Sequence, residues 1–224
     1  VWIDHLTLAV KGRTEAMDLL SHLGSAMTAA PSWCPGTDRF VVPLANASFL
    51  EVVSVRDPLL ARRSIWGGAL VRFLRGGAGV FRVALGHLDL DQFIAQRSRR
   101  GVHWWPPIDD HIAGIDGTPV PVRMTQVDPM VPWLVQYLAK PSHAPNATLR
   151  LARVSIAAPA AQAMALRYHL MLGLPLQDLT HMATQNAAFD FLAGEPGYRS
   201  LHLTQGDDVI RLEAVNGQLL VDIG

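Results

Sequence analysis

A histidine and a glutamate near the start of the chain carry its clearest chemical signal. His5 lies in Ile3-Asp4-His5-Leu6-Thr7-Leu8-Ala9-Val10, and Glu51 lies in Phe49-Leu50-Glu51-Val52-Val53-Ser54-Val55. Both runs read as strands. A period of two puts residues 3, 5, 7 and 9 on one face, opposite Leu6, Leu8 and Val10, and sets Glu51 opposite Leu50 and Val52. A carboxylate within so apolar a strand must be paired, hydrated or functional, because an isolated buried charge is very costly. An imidazole and a carboxylate facing one pocket meet that need. Together they also supply a base and its partner for removing a proton next to a carbonyl. For His5 the alternative is a buried histidine with satisfied nitrogens and no role in a site.

Four further residues belong to this expected pocket. Thr7 and Ala9 are small enough to leave room in front of a concave sheet. Arg39, at the start of a strand, either binds an acidic substrate group or is a surface arginine. Gln136 in Val135-Gln136-Tyr137 stands where a second unit repeats the position of Glu51. Other suggestive residues have plainer readings. Trp104-Trp105-Pro106-Pro107 forms either an aromatic wall or ordinary strand-end packing. Arg97, Arg99 and Arg100 sit in the last turn of a helix, where cations meet the helix dipole favourably. Asp109-Asp110-His111 reads as turn and cap chemistry in a turn-rich insertion. Cys34 lies in a loop with nothing in the sequence to activate it. The chain has no phosphate loop, dinucleotide fingerprint or nucleophile elbow.

The elements that must position these residues recur. After the first strand, Thr14 is the expected cap of a helix that buries Met17, Leu20 and Leu23 and stops at Gly24. Strands over 39–44 and 48–55 follow. A glycine-rich connector, 56–79, contains a short helical piece. A second start comes at Val80-Phe81-Arg82-Val83-Ala84-Leu85, with a helix capped by Asp89 and ending at Gly101. Further strands are expected over 102–105, 120–126 and 133–138, with the insertion 106–119 among them. A third start comes at 149–156, with a helix from Pro159 to Gly173. Asn216-Gly217 then marks a tight hairpin. His5 to Gly24, Arg82 to Gly101 and Val154 to Gly173 have the same spacing. Leu50-Glu51-Val52 and Val135-Gln136-Tyr137 close the first two units, and Leu212-Glu213-Ala214 is the candidate third version.

Composition narrows the function classes. Of 224 residues, 50% are hydrophobic and 17% charged, which suits a packed domain and not a disordered chain. With 19 basic and 19 acidic residues there is no bulk attraction for nucleic acid or an anionic membrane. No apolar run is long enough to span a bilayer. The single cysteine excludes an intrachain disulfide and fits a reducing, cytoplasmic setting.

A βαβββ repeat with His in its first strand and Glu in its fourth resembles the vicinal oxygen chelate superfamily, which includes glyoxalase I, extradiol dioxygenases and bleomycin-resistance proteins. Ile3-Asp4-His5-Leu6, Gly36-Thr37-Asp38-Arg39-Phe40, Phe49-Leu50-Glu51-Val52-Val53 and Val131-Pro132-Trp133-Leu134-Val135-Gln136-Tyr137 make residues 2–140 similar to the glyoxalase-like domain family. The resemblance implies an α+β fold of repeated βαβββ modules, with a curved mixed sheet around a pocket and helices on its outer face. Modules about 1–55 and 79–140 would form one domain. Residues 141–224 would form a third βαβββ-like module, used in dimerisation. It further implies a lyase or isomerase acting on a small carbonyl-containing metabolite, with His5 and Glu51 catalytic and Thr7, Arg39 and Gln136 binding substrate. The alternative is a non-catalytic protein that sequesters a small molecule. Metal-dependent relatives take two ligands from each module. His5 and Glu51 match the first pair, but Phe81 or Arg82 and Gln136 replace the second, so no cofactor is expected to be tightly bound. A loosely held divalent metal stays open. Expected partners are a small molecule and a second copy of the chain, not nucleic acid or a membrane.

Overall fold

The computed structural model describes residues 1–24, 28–114, 118–127, 131–140 and 146–224. The first unit runs β1 (Trp2–Val10), α1 (Arg13–His22), β2 (Thr28–Ala30), β3 (Thr37–Pro43) and β4 (Phe49–Val55). The connector folds into α2 (Pro58–Ala61) and α3 (Ile65–Gly76). The second unit contains β5 (Gly79–Gly86), α4 (Leu90–Ser98), β6 (Ile108–Ala113), β7 (Pro119–Thr125) and β8 (Trp133–Tyr137). Then come β9 (Arg150–Ala158), α5 (Ala161–Leu172), β10 (His181–Ala183), β11 (Ala188–Ala193), β12 (Gly197–Gln205), β13 (Asp208–Val215) and β14 (Gln218–Ile223).

The first two units form one eight-stranded sheet in the order β2-β3-β4-β1-β5-β8-β7-β6. Each unit's first strand lies parallel to its last, β1 with β4 and β5 with β8, and the units join where β1 and β5 run antiparallel. The α+β fold read from the sequence therefore holds. The glycine-rich connector does more than link: Leu70 of α3 packs against Ala9 and Val53 on the concave face of the sheet.

The remaining strands form a second sheet, β10-β11-β9-β12-β13-β14. It is a βαββ unit followed by an antiparallel meander, not a third βαβββ repeat. Its parallel closing strand is β11, where Asp190 faces Ser155 of β9. The expected closing motif at Glu213 lies instead in the meander. The boundary placed after residue 140 falls at 141–145, outside the described residues. One continuous core joins the sheets, with Leu6, Leu8, Leu50 and Leu85 of the first packed among Val154, Ile156, Leu201 and Leu212 of the second. Burying each such side chain contributes roughly 1.5–3 kcal/mol.

Several local expectations are corrected. Residues 102–105 form no strand. The strand paired with β7 is β6, so Asp109-Asp110-His111 lies in a ladder and not in a turn. Gly12, not Thr14, caps α1, and Met17 is exposed while Ala16, Leu19 and Leu20 are buried. Asp89 does cap α4 through Gln92 N, and Gly173 ends α5 in the left-handed conformation with φ 70°.

Candidate functional site

Two bulges decide what faces the cavity. In the pairing of β1 with β5, Ile3 faces Leu85 and His5 faces Ala84, leaving Asp4 as an extra residue. The bulge reverses the alternation, so Ile3 joins Leu6, Leu8 and Val10 in the core, whereas strict alternation had put it beside His5. Asp4 and His5 then share a side. Further along, Thr7 faces Arg82 and Leu8 faces Val80, which leaves Phe81 as the extra residue. Phe81 packs on the concave-face cluster of Ala9 and Val53, and Arg82 also lines the cavity.

The cavity measures about 230 Å³. His5, Phe49, Glu51, Arg39 and Arg82 form its base; Trp33, Trp66 and Trp133 wall it; Asp110, His111 and Ile112 stand at its edge. Trp66 meets Trp133 edge to face at 4.5 Å, so α3 completes a wall with β8.

His5 does not pair with Glu51. Its Nδ1 lies 2.7 Å from Oδ2 of Asp4, and the same oxygen accepts a hydrogen bond from the Tyr137 hydroxyl at 2.9 Å. The ring stacks on Phe49 with centroids 4.8 Å apart. With Nδ1–H donating to Asp4, the Nε2 lone pair is left available, which is the orientation a general base requires. Burial, followed by the charge and hydrogen bond of Asp4, pushes the Tyr137 phenol far up, so it stays a neutral donor.

Glu51 is engaged elsewhere. Arg39 Nε donates to Oε1 at 2.6 Å and Thr7 Oγ1 donates to Oε2 at 2.8 Å. Burial alone would push the Glu51 carboxyl up. The charges of Arg39, His5 and Arg82 and the Thr7 hydrogen bond outweigh it and hold the group below its ordinary range. Glu51 is thus a fixed anion and a poor base. Arg39 meets the cavity as its buried counter-ion, and so is not a surface arginine.

Arg82 is the second guanidinium that lines the cavity. Burial lowers its guanidinium from the ordinary value, against the opposing charges of Glu51 and Cys34. Its Cζ sits 4.7 Å from the Trp33 ring centre and 5.0 Å from those of Trp66 and Phe81. Among the described residues no carboxylate lies within ion-pair distance of it. Gln136 is not in the cavity. Its Oε1 accepts from Leu90 N at 2.9 Å, satisfying the start of α4, while Trp133 and Val135 face inward.

A profile of the glyoxalase-like domain family matches residues 3–172. The chain belongs to that family. No curated protein sequence matches it. Among solved structures, this glyoxalase-like chain is similar to a hypothetical protein from Staphylococcus aureus, at 13% identity and a TM-score of 0.71, covering 98% of this chain and 97% of that one. That likeness shows a shared fold across both sheets. Weaker matches include methylmalonyl-CoA epimerase from Mycobacterium tuberculosis, at 16% identity and TM-score 0.45 over 62% of this chain and 89% of that one. A Streptomyces coelicolor methylmalonyl-CoA epimerase in complex with 2-nitronate-propionyl-CoA matches at 18% identity and TM-score 0.43, over 62% and 99%.

The divalent metal used by many vicinal oxygen chelate proteins does not fit these donors. Both oxygens of Glu51 and Nδ1 of His5 are already bonded. The second module turns Arg82 and Val135 toward the place where two more ligands would stand. A cation there would face two guanidinium groups. Among the described residues no cluster of three or more His, Cys, Asp or Glu side chains is arranged to hold a metal ion. Nor is any helix there long and apolar enough to cross a membrane.

Sequence reasoning missed Asp4, Tyr137, Arg82 as an anchor, and the tryptophan wall. Only Asp4 had an available signal: a carboxylate at an expected core position of a strand points to a bulge or a partner.

Proposed function

We propose that the chain is a lyase or isomerase that moves a proton on a small, carbonyl-containing metabolite bearing an anionic group. The observation that carries this reading is the Asp4-oriented imidazole of His5 opening onto the same cavity as Arg82. His5 Nε2 takes the proton from the carbon next to the carbonyl. The C–H electron pair moves into an enolate whose oxygen, or the adjacent acid group, is held by Arg82. Asp4 stabilises the imidazolium, which returns the proton to the carbon or to a leaving group. Glu51 contributes a fixed field and no proton. Thr7 and Arg39 act through Glu51, and Gln136 supports α4.

The test is solvent-deuterium exchange at the acidic carbon of a panel of 2-oxo and 3-oxo acids, followed by proton NMR. Exchange should fall by about 10²–10⁴-fold in His5→Gln, and Arg82→Gln should raise the half-saturating concentration. Exchange that survives in His5→Gln would overturn the assignment. The aromatic wall of Trp33, Trp66 and Trp133 favours a second reading, a sequestering protein. Binding of panel acids that depends on Arg82, without exchange of any of them, would select it. We further propose a homodimer. β14 is an edge strand with Leu220 and Ile223 exposed, the kind of edge that invites pairing with a second copy.

A further inference from the structure

The ladder between β1 and its parallel neighbour β4 starts at His5, which faces Phe49. Ile3, immediately before the Asp4 bulge, therefore has no backbone partner on that side. A side chain from the other sheet takes the place of one. Asn186, on the turn between β10 and β11, accepts from Ile3 N through Oδ1 at 2.8 Å and donates from Nδ2 to Ile3 O at 2.9 Å. One carboxamide thus offers Ile3 the donor and acceptor that a peptide group of a neighbouring strand would offer. Ser48 Oγ, itself 2.9 Å from Asn186 Nδ2, donates to Ile3 O as well, also at 2.9 Å.

We infer that Asn186 is a positioning residue for Asp4 and His5, and that the second sheet is in this way part of the site. The inference rests on the proposed role of His5. Its physical basis is register. Without the bulge, alternation would return Asp4 to the face occupied by Ile3 and Leu6, an apolar interior hostile to a carboxylate. Fixing the Ile3 peptide groups fixes where the bulge falls, and so keeps Asp4 beside His5. Asn186 is itself held. Thr184 Oγ1 donates to its Oδ1 at 3.2 Å, and Asn46 Nδ2 donates to its backbone carbonyl at 2.8 Å. Asn46 provides a contrast within the same joint: it also ties the sheets together, through Leu151 O at 2.9 Å, without touching Ile3.

The test uses the full chain and needs no ligand. Nitrogen-15 and proton NMR of the histidine side chains reports the His5 tautomer and its Nδ1 proton bonded to Asp4, with His5→Gln assigning the signal. Asp4→Asn should abolish that signature. Asn186→Ala should abolish it too, while Asn46→Ala, which removes only one of the bonds that hold Asn186, should weaken it less. Asn186→Asp, which retains the acceptor for Ile3 N, should restore part of the signal and also covers the case in which the alanine variant fails to fold. An unchanged His5 signature in Asn186→Ala or Asn186→Asp, with Asp4→Asn effective, overturns the positioning role. An unchanged signature in Asp4→Asn overturns instead the pairing of Asp4 with His5 on which both readings stand.

Discussion

Replacing Glu51 by Gln preserves the shape of the strand and removes one charge from a fully enclosed pair. The Arg39 and Glu51 side chains are 1% and 5% exposed and their bonded atoms are 2.6 Å apart. The amide can still accept from Thr7, but the buried Arg39 cation loses the charge of Glu51, and Arg82 loses the anion whose field opposes its own desolvation. Breaking a buried pair from one side costs about 3–5 kcal/mol. At roughly 2–4 °C per kcal/mol for a chain of this size, the melting temperature should fall by about 6–20 °C. Arg39→Met should cost less, because the positive field of Arg82 still reaches the orphaned carboxylate. The double variant Arg39→Met/Glu51→Leu removes both charges and should recover most of the loss, since an apolar pair of similar volume replaces a buried ion pair at little net cost. Urea unfolding of the wild type, Arg39→Met, Glu51→Leu and the double variant reads this as a coupling energy. Additivity of the single effects to within about 0.5 kcal/mol would show that the two groups do not act as a unit. A loss below about 1 kcal/mol in Glu51→Gln would refute the argument from burial.

The remaining predictions concern acid and assembly. The folded chain holds the Glu51 carboxyl below its ordinary value of 4.5, so the unfolded chain protonates first as pH falls. The stabilisation from this group is complete above that ordinary value and is lost as pH drops through the lower, folded one. Urea midpoints of Glu51→Gln should therefore change less steeply over that acid range than those of the wild type, and parallel curves would refute the assignment. Light scattering should give twice the chain mass at micromolar concentration, and Leu220→Lys should shift the population toward monomer. A monomer across that range in the unmodified chain counts against the proposed edge pairing.

Periodicity of two was enough to turn His5 and Glu51 toward one side of the sheet, and both line the cavity. The three starts at β1, β5 and β9 were legible because each is an apolar strand followed by a helical stretch and a glycine at the same spacing. What alternation cannot show is where it breaks. The bulges at Asp4 and Phe81 move Ile3 to the core and bring Arg82 to the cavity; the carboxylate of Asp4 at a core position hints at the first, and nothing local marks the second. Gln136 failed as a pocket residue by a single position, because aligning Val135-Gln136-Tyr137 with Leu50-Glu51-Val52 assumed equal registers in the two modules. Pairings across the fold were beyond the sequence altogether. Arg39 with Glu51, Tyr137 with Asp4 and Trp66 with Trp133 depend on how sheet and connector curl, and 56–79 carries no pattern that reveals it as a wall.

The second sheet bears on which acid does chemistry. Its βαββ unit repeats the arrangement around Glu51: Asp190 of β11 faces Ser155 of β9 as Glu51 of β4 faces Thr7 of β1. Asp190 also takes an arginine, Arg153, at 2.8 Å. An acid on the closing strand, answered by a guanidinium and standing across from a small hydroxyl residue, therefore recurs as a way of satisfying this sheet geometry. It does not by itself signal catalysis. The bulge itself recurs in the second sheet, where Ala152 is the extra residue between Leu151 and Arg153 of β9, so Ala152 and Arg153 stand where the first sheet carries Asp4 and His5. The second bulge recurs as well, at Arg199, and puts Ser200 across from Ser155 where Arg82 stands across from Thr7. The side chains on those bulges, not the bulges, distinguish the first sheet, and on them rests the proposal of reactive chemistry at the imidazole and an anion site at Arg82, with Glu51 as the fixed charge between two cations.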